Sequence, residues 1–403
     1  LKTKTPLKSP FPYFGGKSKV ADLVWRRLGN VDNYNEPFAG SLAVLMRRPE
    51  VGKIETVNDK NHFLANFWRA IKSDPDLVAE FADSPVNEAD LHARHQWLVS
   101  DPFVGPLAND PEFYCAKVAG WWVWGKCCWI GAGWCDGLRP TEGMNMPEIG
   151  RSRGVVSQSK QIPDLSGDSG AFGRGVNSSA GHNKRPVLRT KGSQRECVSY
   201  GRPQLGDAFD IGRGVNSNGR IGTCEERRKW LAEWMSRLSD RLRLVRVCYG
   251  DWHRICDSKT TMYRLGITGS FIDPPYAKNV KRCVQWRNHL QSNASEPEEQ
   301  KSTNRSSKLY SGDDNQDIDR LVAEVNVWCQ RWGQNDSVRI ALCGYEGEHD
   351  NLVEMGWNVE SWKAQAGYGN RNEKNQNKNR ERIWFSPACL NESDLFSGVE
   401  VAQ

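Results

Sequence analysis

The residues with the clearest capacity for chemistry are Asp273-Pro274-Pro275-Tyr276. They follow an apolar run, Ser270-Phe271-Ile272, that reads as the end of a buried strand. Two prolines bar both strand pairing and an immediate helix, so a stiff loop must leave the carboxyl end of that strand. Open α/β sheets bind their ligands there. A carboxylate, two fixed carbonyls and an aromatic ring suit an exocyclic amine. Asp273 and the Pro274 carbonyl accept its two N–H protons while Tyr276 stacks on the ring that bears it. Accepting both protons steers the nitrogen lone pair away from the ring and toward an electrophile. The plain alternative is a Pro-Pro turn capped by Asp.

Two further motifs precede this one. Pro10-Phe11-Pro12-Tyr13-Phe14-Gly15-Gly16-Lys17 ends in paired glycines that permit close backbone approach, and Ser18 is placed to cap a helix over Lys19 to Leu28. The Gly-x-x-x-x-Gly-Lys spacing of a P-loop is absent. In Asn35-Glu36-Pro37-Phe38-Ala39-Gly40-Ser41-Leu42, the residues Val31 to Asn35 read as a strand and Ser41 onward as a helix. Strand, small-residue turn and helix open a nucleotide-binding α/β unit. After a second candidate strand, Ile54 to Val57, Asn58-Asp59 stands nineteen positions beyond Gly40. An acidic residue about that far on binds ribose hydroxyls in such folds; a turn glycine and a helix cap are the bland alternatives.

The elements that must position these groups are legible from periodicity. Phe63, Leu64, Phe67, Trp68 and Ile71 share one helix face, and Asn87 caps a helix to Ser100 with Leu91, His95 and Leu98 inward. The stretch from Gly120 to Ile130 holds Trp121, Trp122, Trp124 and Trp129, with Trp134 just beyond; lacking the charge of a phosphate track, it reads as packed core rather than a base-stacking platform. Thr223 to Glu226 is a capping box opening a helix with Trp230, Leu231, Trp234, Met235, Leu238 and Leu242 inward. Leu244 to Cys248 is a strand delivering Gly250-Asp251-Trp252; Lys278 to Lys308 is polar and reads as a loop over the active face. Asp314 to Trp332 is a helix, Val338 to Cys343 a buried strand, and Trp357 to Trp362 and Ile383 to Ser386 paired strands. The loop between them carries Arg371, Lys374 and Lys378, a composition that suits a solvated tip, and these three are carried as candidate DNA contacts.

Between Gly150 and Cys224 the chain is rich in glycine, serine and arginine, and it repeats. A Pro-x-Leu…Gly-Asp…Gly-Arg-Gly-Val-Asn-Ser pattern runs through Lys160 to Ser178 and again through Gly201 to Ser217. Each copy has one or two apolar anchors, too few to bury a core alone, so the copies must stack or lie on something else. Arg174, Arg185, Arg202 and Arg213 on such a backbone suit phosphate or base-edge contact; a flexible linker is the alternative.

Composition sets the outer bounds. The chain has 403 residues and a net charge of +6, room for two or three domains and compatible with a nucleic-acid partner. No apolar run approaches a membrane span, and the 12 cysteines form no evident framework, so they are expected to be reduced and the protein cytoplasmic. Cys115, Cys127, Cys128 and Cys135 lack both Cys-x-x-Cys spacing and a nearby histidine, and no metal site is expected.

Taken in order, Pro12 to Lys17, Glu36-Pro37-Phe38-Ala39-Gly40, Asn58-Asp59 and Asp273 to Tyr276 resemble the Dam-type adenine-N6 DNA methyltransferases, phage and prophage branch. Gly250-Asp251-Trp252 and Arg382 to Pro387 fit more loosely. The likeness covers the flanks, about Pro10 to Ser73 and Thr223 to Pro387, and departs at Leu42, where many relatives have glycine. The resemblance implies a Rossmann-like, seven-stranded α/β methyltransferase sheet interrupted by a target-recognition insert. The domain expectation is residues 1–84 and 225–403 for the catalytic parts and 85–224 for the insert. It implies S-adenosylmethionine as methyl donor, adenine in double-stranded DNA as acceptor, and base flipping. Cofactor positions by the same resemblance are Tyr13, Gly15, Gly16, Lys17, Glu36, Pro37, Phe38, Gly40, Asp59, Asp251, Trp252 and Asp273. Catalytic positions are Asp273, Pro274, Pro275 and Tyr276. A cytosine-N4 or RNA methyltransferase, or a DNA-binding protein that keeps the fold without catalysis, are the alternatives; nothing calls for an obligate protein partner.

Overall fold

Short apolar runs punctuated by glycine, proline and polar turns become the parallel strands of a computed structural model. It describes residues 7–13, 16–50, 54–100, 104–110, 112–129, 134–135, 215, 223–257, 262, 265–292, 315–362 and 380–391. The strands are β1 (Asn33–Glu36), β2 (Ile54–Asp59), β3 (Arg246–Tyr249), β4 (Thr268–Ile272), β5 (Val338–Tyr345), β6 (Asn358–Ser361) and β7 (Glu381–Phe385). They form one seven-stranded sheet in the order β3-β2-β1-β4-β5-β7-β6. Strands β1 to β5 pair in parallel, while β7 runs antiparallel between β5 and β6. The chain winds outward from β1 to β3, then returns to lay β4 on the other side of β1. That reversal leaves a crevice beyond the carboxyl ends of β1 and β4, where such sheets bind ligands. The expected α/β architecture is present.

The helices are α1 (Ala21–Leu28), α2 (His62–Ser73), α3 (Pro75–Ala82), α4 (Glu88–Ser100), α5 (Val104–Asn109), α6 (Ala116–Cys128), α7 (Cys224–Leu242), α8 (His253–Cys256), α9 (Val280–Ser292) and α10 (Asn315–Trp332). The chain divides into two compact units. The first comprises Leu1–Ser9, Tyr13–Arg69 and Asp240–Gln403; the second comprises Pro10–Pro12 and Ala70–Ser239.

In the sheet unit, Leu321, Val325 and Cys329 of α10 pack against Ile272, Ile340, Leu342 and Trp384 of the sheet. Each such aliphatic side chain contributes about 1.5–3 kcal/mol by leaving water, which fixes the sheet behind the crevice. In α1, Val24, Trp25 and Leu28 are buried while Leu23 is only half-buried. Trp25 takes the inward place because its Nε1 donates to the Val44 carbonyl at 2.7 Å.

In the second unit, Leu91, His95 and Leu98 of α4 are buried, and Asn87 Oδ1 accepts the Asp90 N–H at 2.8 Å, as its capping role requires. The tryptophan-rich stretch is core: Trp122, Trp124, Trp129 and Trp134 are buried, and His95 stacks on Trp129 at 5.2 Å. A Cβ at Gly125 of α6 would lie 1.8 Å from the Trp134 ring, so only glycine admits that ring. The capping box forms, with Thr223 Oγ1 accepting Glu226 N–H at 3.1 Å and Glu226 Oε2 accepting Thr223 N–H at 2.9 Å. Val215, from the second repeat copy, is fully buried; its N–H donates to the Pro10 carbonyl and its carbonyl accepts Arg227 Nη2, each at 2.9 Å.

Four expectations fail for identifiable reasons. Ser18 does not cap α1; Val20 N–H bonds the Lys17 carbonyl at 3.1 Å, and this backbone turn delays the helix to Ala21. Ser41 does not open a helix; Leu42 sits in left-handed backbone at φ 56°, and only a 3-10 turn, Leu45–Arg47, follows. Trp230 and Trp234 are only partly buried, the inward face of α7 being carried by Leu231, Met235, Leu238 and Leu242. Part of Lys278 to Lys308 is helix, since α9 covers Val280–Ser292 with Asn279 Oδ1 accepting the Arg282 N–H at 3.3 Å. Only Cys283 of α9 is fully buried, so no apolar stripe announces it.

Candidate active site at the carboxyl edge of the sheet

The turn after β1 is built from backbone. Gly40 has φ 48°, and a Cβ there would lie 2.8 Å from Cε1 of Tyr13. Glycine is therefore required both for the left-handed conformation and for the ring laid against it. Asp59, at the end of β2, accepts the Gly40 N–H at 2.9 Å and the Asn61 N–H at 2.8 Å. Burial raises its pKa above the usual carboxylate value, and these N–H bonds oppose that rise without cancelling it. The cap of α2 is Asn61 rather than Asp59, its Oδ1 accepting Phe63 N–H at 2.9 Å. Asn58 Nδ2 donates to the Pro37 carbonyl at 3.2 Å and the Gly250 carbonyl at 3.0 Å, and Gly250 N–H returns to the Asp59 carbonyl at 3.1 Å. The ends of β1, β2 and β3 are laced together by these bonds.

Glu36 faces inward and works as a brace. It accepts the Tyr34 hydroxyl at 2.5 Å and the Leu45 N–H at 2.8 Å, and burial pushes its pKa up to about 8. Asp251 accepts both the backbone N–H of His253 at 3.0 Å and its Nδ1 at 2.7 Å. Burial would raise the Asp251 pKa, but the bonds from His253 outweigh it and hold it low; burial likewise would lower His253, which Asp251 instead raises. Trp252 is buried in the core with its ring 6.1 Å from Phe38.

The loop after β4 is built from charged side chains. Lys17 Nζ lies 2.9 Å from Asp273 Oδ2, and the Tyr276 hydroxyl donates to Asp273 Oδ1 at 3.1 Å. The same ammonium is 5.2 Å from the centre of the Tyr276 ring and 3.8 Å from Glu381 Oε2. Lys17 is only 4% exposed. Burial would lower its pKa, but the carboxylates of Asp273 and Glu381 outweigh burial and the net shift is upward. Burial, with Asp273 adding to it, holds the Tyr276 phenol well above its ordinary value. Tyr345 packs edge-on against the Tyr276 ring at 4.6 Å. Pro274 is buried and Pro275 exposed, as a loop leaving the sheet demands.

Three acids in this cluster escape a motif search. Glu348 Oε1 accepts the Ala277 N–H at 3.0 Å, and Asp319 Oδ1 accepts the N–H groups of Lys278 and Asn279 at 2.8 and 3.0 Å. Together they clamp the backbone just beyond Tyr276. Burial pushes the Glu348 carboxyl up to about 8. The third, Glu381, starts β7 in phase with the buried Ile383 and Phe385, but Trp384 between them is buried too, so no alternation marks it.

The geometry thus joins Tyr13, Gly16 and Lys17 to Gly40 and Asp59 on one side and to Asp273 and Tyr276 on the other, with Gly16 N–H bonded to the Tyr13 carbonyl at 3.0 Å. Gly15, Arg174, Arg185, Arg202, Arg213, Arg371, Lys374 and Lys378 lie outside the described residues. Among the described residues no cluster of His, Cys, Asp and Glu could hold a metal ion, and no helix is long and apolar enough to cross a membrane.

No curated protein matches the chain. The family model for D12 class N6 adenine-specific DNA methyltransferase does match, over residues 13–98. That segment contains the Tyr13–Lys17 turn, the β1 turn and Asp59; Asp273 lies outside it and meets it through Lys17. What residues 13–98 match is therefore a family of enzymes, the D12 class N6 adenine-specific DNA methyltransferases.

Proposed function

We propose that the protein moves a methyl group from S-adenosylmethionine to adenine N6 in double-stranded DNA, after the target base has left the helix stack. The observation that carries the reading is the Lys17–Asp273–Tyr276 contact, which ties the Asp-Pro-Pro-Tyr loop to the segment that matches a methyltransferase family. The donor's fit rests on the β1 turn. Asp59 keeps acceptor capacity for a ribose hydroxyl beside its backbone N–H partners, because a carboxylate offers about four lone-pair directions. Gly40 admits close backbone approach, and Tyr13, 37% exposed, offers its ring beside it. Asp251 adds a second carboxylate next to the same strand ends.

When bound, S-adenosylmethionine would supply a methyl carbon on cationic sulfur, which needs an aligned nucleophile more than acid–base power. Asp273 and the Pro274 carbonyl accept the two protons of the amine and aim its lone pair; Tyr276 stacks on the extruded base. Unstacking costs a few kcal/mol, and these contacts offset it. Asp273 is placed to take the proton that N6 sheds once it carries the methyl group.

Choice of DNA sequence falls, in this reading, to the insert with Arg174, Arg185, Arg202 and Arg213, and secondarily to Arg371, Lys374 and Lys378. The support is composition, together with the docked Val215 in the second repeat. Sequencing that reports modified bases, in a host expressing this chain, is expected to find N6-methyladenine at a defined motif. Unmodified adenine throughout would reject the proposal.

A further inference from the structure

Each oxygen of Asp273 already accepts a donor. Lys17 bonds Oδ2 and the Tyr276 hydroxyl bonds Oδ1. An amine that donates along the directions these two donors use takes their place on Asp273. Taking a charged acceptor away from a buried donor is costly, and Lys17 is buried. The displaced ammonium and phenol therefore need somewhere to go.

One oxygen faces both. Glu381 Oε2 lies 3.8 Å from Lys17 Nζ and 3.5 Å from the Tyr276 hydroxyl, each just beyond a good hydrogen bond. Strand register fixes it there. Glu381 pairs across β5 with Tyr345, whose ring supports Tyr276, and Trp362 N–H bonds the Glu381 carbonyl at 3.4 Å. The neighbouring arginines are engaged elsewhere, Arg380 over the Tyr345 ring and Arg382 with Glu346 at 3.0 Å. In the present arrangement a second carboxylate is surplus to Lys17 and repels Asp273, so a purely structural requirement would be met by glutamine. Burial, with the charge of Asp273, raises the Glu381 carboxyl above its ordinary pKa, the signature of an acid kept at a position that does not favour it.

We propose that Glu381 is a positioning residue, the alternate acceptor to which the Lys17 ammonium and the Tyr276 hydroxyl move when the target amine replaces them on Asp273. The inference rests on the function proposed above. It assigns Glu381 no bond to substrate; its effect is to leave Asp273 open while both displaced donors stay satisfied. Lys17 makes the longer move, for which its flexible four-carbon arm is suited.

The test is a cycle of wild type, Glu381→Gln, Tyr276→Phe and the double variant. The readout is single-turnover methyl transfer from labelled S-adenosylmethionine to unmethylated genomic DNA, with calorimetry for the donor and melting curves for the fold. Glu381→Gln is expected to melt with the wild type and to bind the donor within about twofold. It should slow transfer about tenfold, the scale on which a charge-assisted hydrogen bond exceeds a neutral one. With Tyr276→Phe one of the two displaced donors is gone, so Glu381→Gln should then cost only about threefold. Glu381→Asp keeps the charge and is expected to outperform Gln. Wild-type speed in Glu381→Gln, equal losses in both backgrounds, or no advantage of Asp over Gln would each overturn the inference. A wild type that transfers nothing to DNA would instead sink the function on which it rests.

Discussion

The two halves of the sheet's carboxyl edge are held by different forces. Around β1, β2 and β3 the partners are mostly backbone: Asp59 takes the N–H groups of Gly40 and Asn61, and Asn58 reaches the carbonyls of Pro37 and Gly250. Around β4 and β7 they are side chains, with Lys17, Asp273, Tyr276 and Glu381 in mutual contact. Backbone partners have one geometry and cannot be traded, so the first half is a cradle formed before any ligand arrives. Side-chain donors can change acceptors, so the second half can rearrange around an incoming group. A site that binds one substrate and reorganises for another needs both kinds.

Substitutions that strike each half should separate them, in order of effect on the reaction. Asp273→Ala removes the acceptor on which the second half converges; methyl transfer should be abolished while the melting transition persists. Asp59→Ala strikes the first half. Loss of a charge-assisted hydrogen bond, about 1.5–3 kcal/mol, should raise the S-adenosylmethionine Kd about ten- to hundredfold with DNA affinity little changed. Calorimetry checks this; an unaltered Kd would make Asp59 a turn brace only. Leu42→Gly should relieve about 1–2 kcal/mol of left-handed strain at φ 56°. It also removes a fully buried side chain, which costs about 2–5 kcal/mol, so the protein should melt lower while donor affinity moves less than about twofold.

The smallest effect on the reaction, but a clear one on stability, concerns the buried glutamates. Glu36 and Glu348 each have folded pKa values of about 8 against an unfolded value near 4.5. The folded chain holds protons that the unfolded chain releases, so the stability contributed by each is complete below about pH 4.5 and is lost as pH rises through 8. Glu348→Gln keeps an acceptor for the Ala277 N–H and removes the titration. Its melting temperature should fall less than that of the wild type between pH 5 and 9, a difference of about 1–3 kcal/mol. Parallel pH curves would show that Glu348 is ionised in the fold.

Which parts were legible follows from what each part is made of. The strand ends were readable because β4 and β5 are apolar runs stopped by proline or glycine, and because Gly40 and Asp59 keep a spacing that the fold requires. The tryptophan stretch was readable as core because it lacks charge. Helix α9 was not, since it hides a single cysteine and is fixed by Asn279 and by its packing against α10. The helix expected from Ser41 failed because composition does not reveal that Leu42 takes positive φ. Asp319 and Glu348 were invisible as site residues, since a lone acid in sequence reads as surface until the backbone N–H groups it accepts are located in space.

The most direct measurement is a nucleoside digest of unmethylated DNA incubated with S-adenosylmethionine and either the wild-type protein or Asp273→Ala. N6-methyladenine is expected from the wild type and none from a folded Asp273→Ala. N4-methylcytosine in place of N6-methyladenine, or N6-methyladenine formed equally by both proteins, would contradict the proposed function.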